Sequence, residues 1–324
     1  ARAEADHVCV PLPGSGTSAV EAMLGTLLPR DGRTLVLVNG AYGRRIADIL
    51  KLCGRTFEII EGAENLPLDA EAAAARLDAD SRISDVVLVH CETTSGVLNP
   101  LDAIAEAVAR RGKRLLVDAM SSFGAIPIDA RQTAFDGLAA SANKGLEGVP
   151  GMGFVLARRS RLEACAENCH SLSLDLHAQW QGFEKNGQWR FTPPTQVLAA
   201  LDSALDQLAA EGGIGGRFAR YWENCHTLVT GMRALGFDTY VPDETQAPII
   251  VTFRMPSDPA FEFNAFYDAL AHHGYLIYPG KLTSDPSFRI GCIGAVRAAD
   301  MNGLLGVIET VLKDMGVSMT GGGE

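Results

Sequence analysis

Three short stretches carry residue types whose order could do chemistry. The first, Pro13-Gly14-Ser15-Gly16-Thr17-Ser18-Ala19, stands directly ahead of an apolar helical pattern over Val20–Leu28. Glycines let backbone approach an anion, amides at a helix start point at it, and Ser15, Thr17 and Ser18 add hydroxyl donors. The helix dipole contributes only about 0.3–1 kcal/mol, so a bound phosphate needs several such donors at once. Gly14, Gly16 and Ala19 also satisfy the dinucleotide pattern G-x-G-x-x-G/A after a strand-like His7–Val10. That reading requires an acid at the end of the next strand, where Val38-Asn39-Gly40 stands instead. A helix-capping loop without a ligand is the third reading.

The second stretch is Asp118, which closes the apolar run Leu115-Leu116-Val117. A carboxylate at the end of a buried strand is costly to ionise without a cation beside it. It suits an N-cap, a core ion pair, or a counter-ion for a protonated heterocycle. The third is Ser141-Ala142-Asn143-Lys144-Gly145, whose lysine lies 26 residues after Asp118. Taken alone, Lys144 suits a surface lysine; withdrawn from water, a lysine becomes the neutral, nucleophilic amine that a Schiff base requires. A phosphate cradle, a partner for a pyridinium and a Schiff-base lysine are together the three handles of pyridoxal 5′-phosphate (PLP).

The elements around these stretches alternate. Leu35–Val38, Phe57–Ile60, Val86–His90, Leu115–Asp118, Leu138–Ser141 and Phe154–Ala157 read as strands, with helices expected over Arg44–Leu52, Asp69–Leu77 and Pro100–Arg111. Near-continuous apolar strands between helices imply an α/β fold with a mostly parallel sheet covered on both faces. Ligands of such sheets bind at the carboxyl ends of the strands, which is where the three stretches fall. After about residue 160 the pattern turns helix-rich, up to Gln196–Ala210, and the run Glu211–Gly216 breaks it. Beyond it, helices over Arg217–Leu235, Phe261–His272 and Met301–Met315, and strands at Ile249–Arg254, Leu276–Tyr278 and Phe288–Ile290, predict a smaller α+β domain. The expected division is a large cofactor-binding domain over 1–212 and a small C-terminal domain over 213–324.

Composition narrows the function. The 324 residues carry 28 Lys+Arg against 39 Asp+Glu, a formal net charge of −11, which argues against nucleic acid as a bulk partner. No apolar run reaches the roughly 18 residues that span a bilayer, so no membrane partner is expected. Seven scattered cysteines suit a reducing cytoplasm. Cys165, Cys169 and His170 are too few for a zinc site, the seven histidines show no metal or triad spacing, and no metal is expected.

GSGTSAVEA (14–22), NGAYGRR (39–45), CETTSGVLNP (91–100), VDAMSSFGAIPID (117–129), SANKGLEGVPG (141–151), SLSLDLHAQW (171–180), WRFTPPTQ (189–196), YPGKL (278–282) and FRIGCIG (288–294) resemble the class V, fold-type I PLP-dependent aminotransferases, in order and over essentially the whole chain. GSGT and the Asp–Lys pair are shared by the class. VDAMSSFG and SLSLDL are specific to the branch that acts on 2-aminoethylphosphonate and pyruvate.

The resemblance implies roles. Lys144 would hold the cofactor and shuttle the proton, Asp118 would pair with the pyridine nitrogen, and Ser15, Gly16 and Thr17 would hold the 5′-phosphate. Tyr42 would stack on the cofactor ring, Thr93 would approach its phenolic oxygen, and Asn143 would belong to the cofactor-binding set. Thr192 would reach the cofactor of a second subunit, which implies a homodimer with shared sites. Arg289 would clamp the carboxylate of pyruvate and alanine, a task that suits a planar guanidinium. Arg44 and Arg45 are candidates for the phosphonate. Alanine–glyoxylate or serine–pyruvate aminotransferases share these cofactor residues, and a non-catalytic PLP-binding domain is the reading from a different class. Cysteine desulfurases place His before the lysine, where this chain has Asn143. Family members carry several dozen residues ahead of the glycine-rich loop, including a Thr-Pro-Gly-Pro-like segment, whereas 13 precede Gly14 here, so the N-terminal segment is expected to be incomplete.

Overall fold

The computed structural model describes residues 1–282 and 285–318. Its strands are β1 (His7–Pro13), β2 (Arg33–Val38), β3 (Thr56–Glu61), β4 (Ile83–Val89), β5 (Cys91–Glu92), β6 (Val97–Leu98), β7 (Arg114–Asp118), β8 (Gly137–Ser141), β9 (Met152–Arg158), β10 (Ile250–Arg254), β11 (Tyr278–Pro279) and β12 (Ser287–Gly291). Its helices are α1 (Gly16–Leu27), α2 (Ala41–Leu52), α3 (Ala70–Ala79), α4 (Leu101–Ala109), α5 (Arg159–Glu163), α6 (Leu176–Asn186), α7 (Thr195–Ala210), α8 (Gly213–Ala234), α9 (Phe263–His272) and α10 (Ala298–Asp314).

Seven strands form one sheet in the order β1-β9-β8-β7-β4-β2-β3. The pairs β2–β3, β2–β4, β4–β7 and β7–β8 are parallel, while β9 is antiparallel to both β8 and β1. Only β9 is reversed, so β1, β2, β4, β7 and β8 all end at the same edge. The alternation of side chains along each strand divides the core. Val36 and Val38 of β2 pack with Val87, Val89 and Leu116 under α1, α2 and α6. Leu35 and Leu37 pack on the opposite face with Leu88, Val117, Ile104 and Leu77, under α3 and α4. Strands buried on both faces are apolar at nearly every position, and this is why the sequence shows runs rather than alternation.

The C-terminal part packs a three-stranded antiparallel sheet, β10-β12-β11, against α8, α9 and α10. Phe237 lies at its centre, with ring centroids 5.6 Å from Phe288 and 6.4 Å from Phe253.

Of the expected boundaries that shift, three bear on the site or on the joint behind it. α2 begins at Ala41, not Arg44, because its first turn is capped from a distant segment. β11 is confined to Tyr278–Pro279, later than Leu276–Tyr278. α8 starts inside the glycine run Glu211–Gly216, at Gly213 rather than Arg217, one residue after Gly212, whose positive φ of 98° reverses the chain after α7. The first turn of α8 packs so tightly on the end of α7 that a Cβ at Gly216 would collide with the Glu211 carbonyl.

Candidate active site

A cleft opens at the carboxyl edge of the large sheet, lined by Gly16, Thr17, Tyr42, Arg45, Thr93, Asp118, Met120 and Lys144 among others. Strand geometry accounts for most of this. Gly14 follows β1 with φ +134°, a conformation that favours glycine, and donates from its N–H to the Gly151 carbonyl at 2.9 Å. Ser15 then caps α1, its Oγ accepting from the Ser18 N–H at 3.4 Å. A Cβ at Gly16 would lie within 3 Å of the Met120 side chain, so the start of α1 packs closely on the segment after β7 and a larger residue there would have to displace that side chain.

Asp118 ends the central strand, paired with Val89 of β4 on one side and Ala139 of β8 on the other. It is 7% exposed. Burial pushes its carboxyl up to about 6, against a hydrogen bond from the Met120 N–H to Oδ1 at 2.9 Å; Glu92 adds to the rise and Arg45 opposes it. No cation forms an ion pair with it among the described residues. Lys144 departs from expectation in one respect: its side chain is exposed at the cleft wall rather than buried. β8 ends three residues before it, and the turn that follows carries it up to the open edge.

The start of α2 shows what the sequence reading missed. The N-cap is Gly40, with no side chain to offer. The cap comes instead from Glu92, which is fully buried. Its Oε2 accepts from the Tyr42 and Gly43 N–H groups at 3.2 and 3.1 Å, and its Oε1 from the Thr94 N–H at 3.0 Å. Thr94 Oγ1 accepts from the Ala41 N–H at 2.9 Å. A carboxylate on a helix N-terminus is favourable in the dipole's field. This pair of caps aims Tyr42 into the cleft and leaves Thr93, between Glu92 and Thr94, facing it. Burial pushes the Tyr42 phenol up, but the Thr93 hydroxyl and the Lys281 and Arg45 cations outweigh it and hold the group below its ordinary value. Arg45 lies 4.8 Å from the Tyr42 ring centroid and donates to Thr17 Oγ1 at 3.4 Å, beside the start of α1. Arg44 instead pairs with Glu61, away from the cleft lining.

Arg289 approaches from the C-terminal part and meets the cleft wall at Thr93. On β12 it is 7% exposed, donating from Nη1 to the Thr93 carbonyl at 2.7 Å and from Nε to the Pro279 carbonyl at 3.2 Å. Burial lowers its pKa, opposed by Tyr42, Tyr278 and Glu92, and no carboxylate forms an ion pair with it among the described residues. A buried guanidinium without a counter-ion marks a place for an anion. Asn143 is exposed beside Lys144, and Ser15 precedes Gly16 at the rim. Thr192 stands apart, exposed in the segment between α6 and α7, and does not line the cleft of its own chain.

Residues 14–298 match the family model of the class-V aminotransferases. The chain is a class-V aminotransferase. The 2-aminoethylphosphonate–pyruvate transaminase of Pseudomonas aeruginosa is 55% identical to it over 314 residues, covering 97% of this chain and 85% of that protein. The Pseudomonas putida protein of the same name is 53% identical over 311 residues, covering 96% and 84%. Among solved structures, pyridoxamine–pyruvate aminotransferase from Mesorhizobium loti superposes with a TM-score of 0.89 at 25% identity, covering 97% of this chain and 81% of that one. Ureidoglycine–glyoxylate aminotransferase from Bacillus subtilis gives 0.88 at 22%, covering 98% and 83%.

The family depends on PLP, and the aminotransferase's cleft fits that group. The start of α1 offers amides and hydroxyls to a phosphate, the buried Asp118 carboxyl lacks the cation that a protonated ring nitrogen supplies, and the Lys144 amine makes no hydrogen bond among the described residues. The turn that bears Lys144 is braced from behind. Arg217 of α8, 1% exposed, donates from Nη1 to the Gly145 carbonyl at 2.6 Å and from Nε to Glu211 at 2.6 Å. Glu147, held at φ +58°, accepts from Arg220 at 2.8 Å and from the Tyr221 hydroxyl. Arg220 also donates to the Gly294 and Val296 carbonyls, a few residues beyond Arg289. The lysine turn and the segment after β12 are therefore bound to one half-buried ionic cluster. Gly145 belongs to the same tight packing, since a Cβ there would lie 2.5 Å from the Phe123 carbonyl oxygen.

Proposed function

We propose that this aminotransferase moves the amino group of 2-aminoethylphosphonate to pyruvate, giving phosphonoacetaldehyde and L-alanine. The observation that carries the reading is the 55% identity, over 97% of the chain, to a relative of that name. The chemistry that PLP supplies when bound is an electron sink for the carbon bearing the amino nitrogen. Lys144 Nζ would hold the cofactor and then take the proton from that carbon and return it elsewhere, a general base at the open wall of the cleft. Asp118 would keep a proton on the ring nitrogen: its carboxyl, raised to about 6 by burial, ionises more readily once a cation faces it. Ser15, Gly16 and Thr17 would hold the phosphate, with Arg45 as an added cation at that end. Tyr42 and Thr93, fixed by the Glu92 and Thr94 caps, would border the ring, with Asn143 completing the cofactor set. Arg289 would bind the carboxylate of pyruvate and alanine.

The reading includes a homodimer acting in the cytoplasm, divided into a large domain over 1–212 and a small one over 213–324. Of the apolar positions on α7, Ala204 and Leu208 are the buried ones, while Leu205 is 44% exposed; nearby Phe191 and Val149 are 47% and 44% exposed. Such a surface suits a second copy of the chain, which would bring Thr192 to the neighbouring cofactor. Purified PLP-loaded protein given 2-aminoethylphosphonate and pyruvate should form L-alanine and phosphonoacetaldehyde in equal amounts. Alanine formation from L-serine but not from the phosphonate would contradict the substrate assignment.

A further inference from the structure

The motif YPGKL (278–282) contributes a residue that the roles above leave unused. Lys281 extends from the turn after β11, its Nζ 4.8 Å from the Tyr42 ring centroid and donating to the Tyr42 hydroxyl at 3.4 Å. No carboxylate lies within ion-pair distance of it among the described residues. Three cations without an acidic partner thus surround the Tyr42–Thr93 corner, and their anchors differ. Arg45 points to Thr17, at the phosphate end of the cleft. Arg289 is fixed by the Thr93 and Pro279 carbonyls. Lys281, two residues after Pro279, is exposed, and its long stem is held only by the contact of its ammonium with Tyr42 among the described residues. Arg289 on β12 and Lys281 after the neighbouring β11 therefore meet the Tyr42–Thr93 corner from one sheet.

The reaction asks one pocket to accept two unlike anions in alternation. A carboxylate has two oxygens and one charge, which a rigid guanidinium matches in a bidentate pair. A phosphonate has three oxygens and, once its second proton has left, two charges. A flexible ammonium with three donors is suited to the additional oxygen and charge, and can withdraw to the Tyr42 ring when a carboxylate takes its place. We propose that Lys281 is the specificity-determining residue for the phosphonate: it binds that group of the amine donor beside Arg289 and is dispensable to alanine and pyruvate. The inference rests on the substrate reading above.

The test compares Lys281→Met and Lys281→Arg with the wild-type holoenzyme in separate half-reactions with 2-aminoethylphosphonate and with L-alanine. The ratio of the two kcat/KM values should fall on the order of 10- to 100-fold in Lys281→Met, the size of one lost charge-assisted hydrogen bond, and Lys281→Arg should restore most of it. Titration calorimetry gives a readout independent of turnover. The affinity for unreactive ethylphosphonate should drop by a similar factor in Lys281→Met, and lose its rise with pH across the second phosphonate ionisation, while that for propionate holds. An equal fall toward both amines, or an unchanged ratio, would overturn the proposal and leave Lys281 as a prop for Tyr42. Wild-type protein that exchanges L-alanine with pyruvate yet ignores 2-aminoethylphosphonate would overturn the substrate reading itself, and it is seen before any variant is made.

Discussion

The carboxyl edge of the large sheet and the C-terminal part of the chain bring groups to the same cleft by different means. Gly16, Thr17, Asp118 and Lys144 each lie within four residues of the end of a buried strand, so the register of β1, β7 and β8 places them. Arg289 stands on a separate three-stranded sheet and Lys281 in the turn after its strand β11, and they meet the cleft wall at Thr93 and Tyr42 because Arg289 holds Thr93 and Arg220 ties Glu147 to Gly294 and Val296. The cofactor end is thus built into one sheet, and the substrate end depends on how two sheets are joined. Damage to each should be separable.

Lys144→Ala should break the cofactor end most completely. Turnover should fall by roughly four orders of magnitude, the range for loss of an acid–base and nucleophilic group, while chemical denaturation stays near wild type because the side chain is exposed. Arg289→Met acts on the other side: KM for pyruvate should rise by about 100-fold, the scale of an unpaired buried anion contact, with PLP affinity by fluorescence titration little changed. Equal losses in both measurements would show that the two ends are not separable.

Asp118 gives a pH signature to the cofactor end. With the folded carboxyl near 6, the cofactor-free chain retains a proton between the ordinary carboxylate range and pH 6 that the unfolded chain has released. Stability from this group is therefore full at low pH and is lost as pH rises through 6, amounting to about 3 kcal/mol by neutral pH. In urea unfolding without PLP, Asp118→Asn should gain on wild type by about 2 kcal/mol between pH 4.5 and 7, and the gain should vanish or reverse with PLP bound. A constant difference across that range would contradict the buried, unpartnered carboxyl. The smallest effect is expected at the joint that orients Tyr42. Thr94→Val removes one cap of α2 and should cost about 1 kcal/mol in denaturation, with PLP bound a few-fold more weakly.

The same contrast explains what the sequence revealed. β2, β4, β7 and β8 are apolar at nearly every residue because both faces are covered, and the residues that follow them stand out as polar, so Asp118, Lys144 and the Gly14–Thr17 loop are legible without any relative. Tyr42, Thr93, Thr192 and Arg289 carry no such local sign and were named only through the family resemblance. The start of α2 was misplaced because its cap is Glu92, 50 residues after Tyr42. The glycine run after α7 reads as a helix break that extends to Arg217, whereas α8 starts at Gly213 and Arg217 is buried against the Gly145 carbonyl, 72 residues back in the chain. The exposure of Lys144 was likewise invisible, since a turn of small residues does not say which way its lysine faces. The Glu-Thr-Thr turn and YPGKL were visible signals, but their partners lie across the fold.

Borohydride reduction of the PLP-loaded protein, followed by peptide mass mapping, tests the central claim most directly. A single reduced pyridoxyl adduct on Lys144, absent when the protein is first converted with 2-aminoethylphosphonate and restored on adding pyruvate, is the result this account predicts. An adduct on any other lysine, or one on Lys144 that the phosphonate never removes, would contradict it.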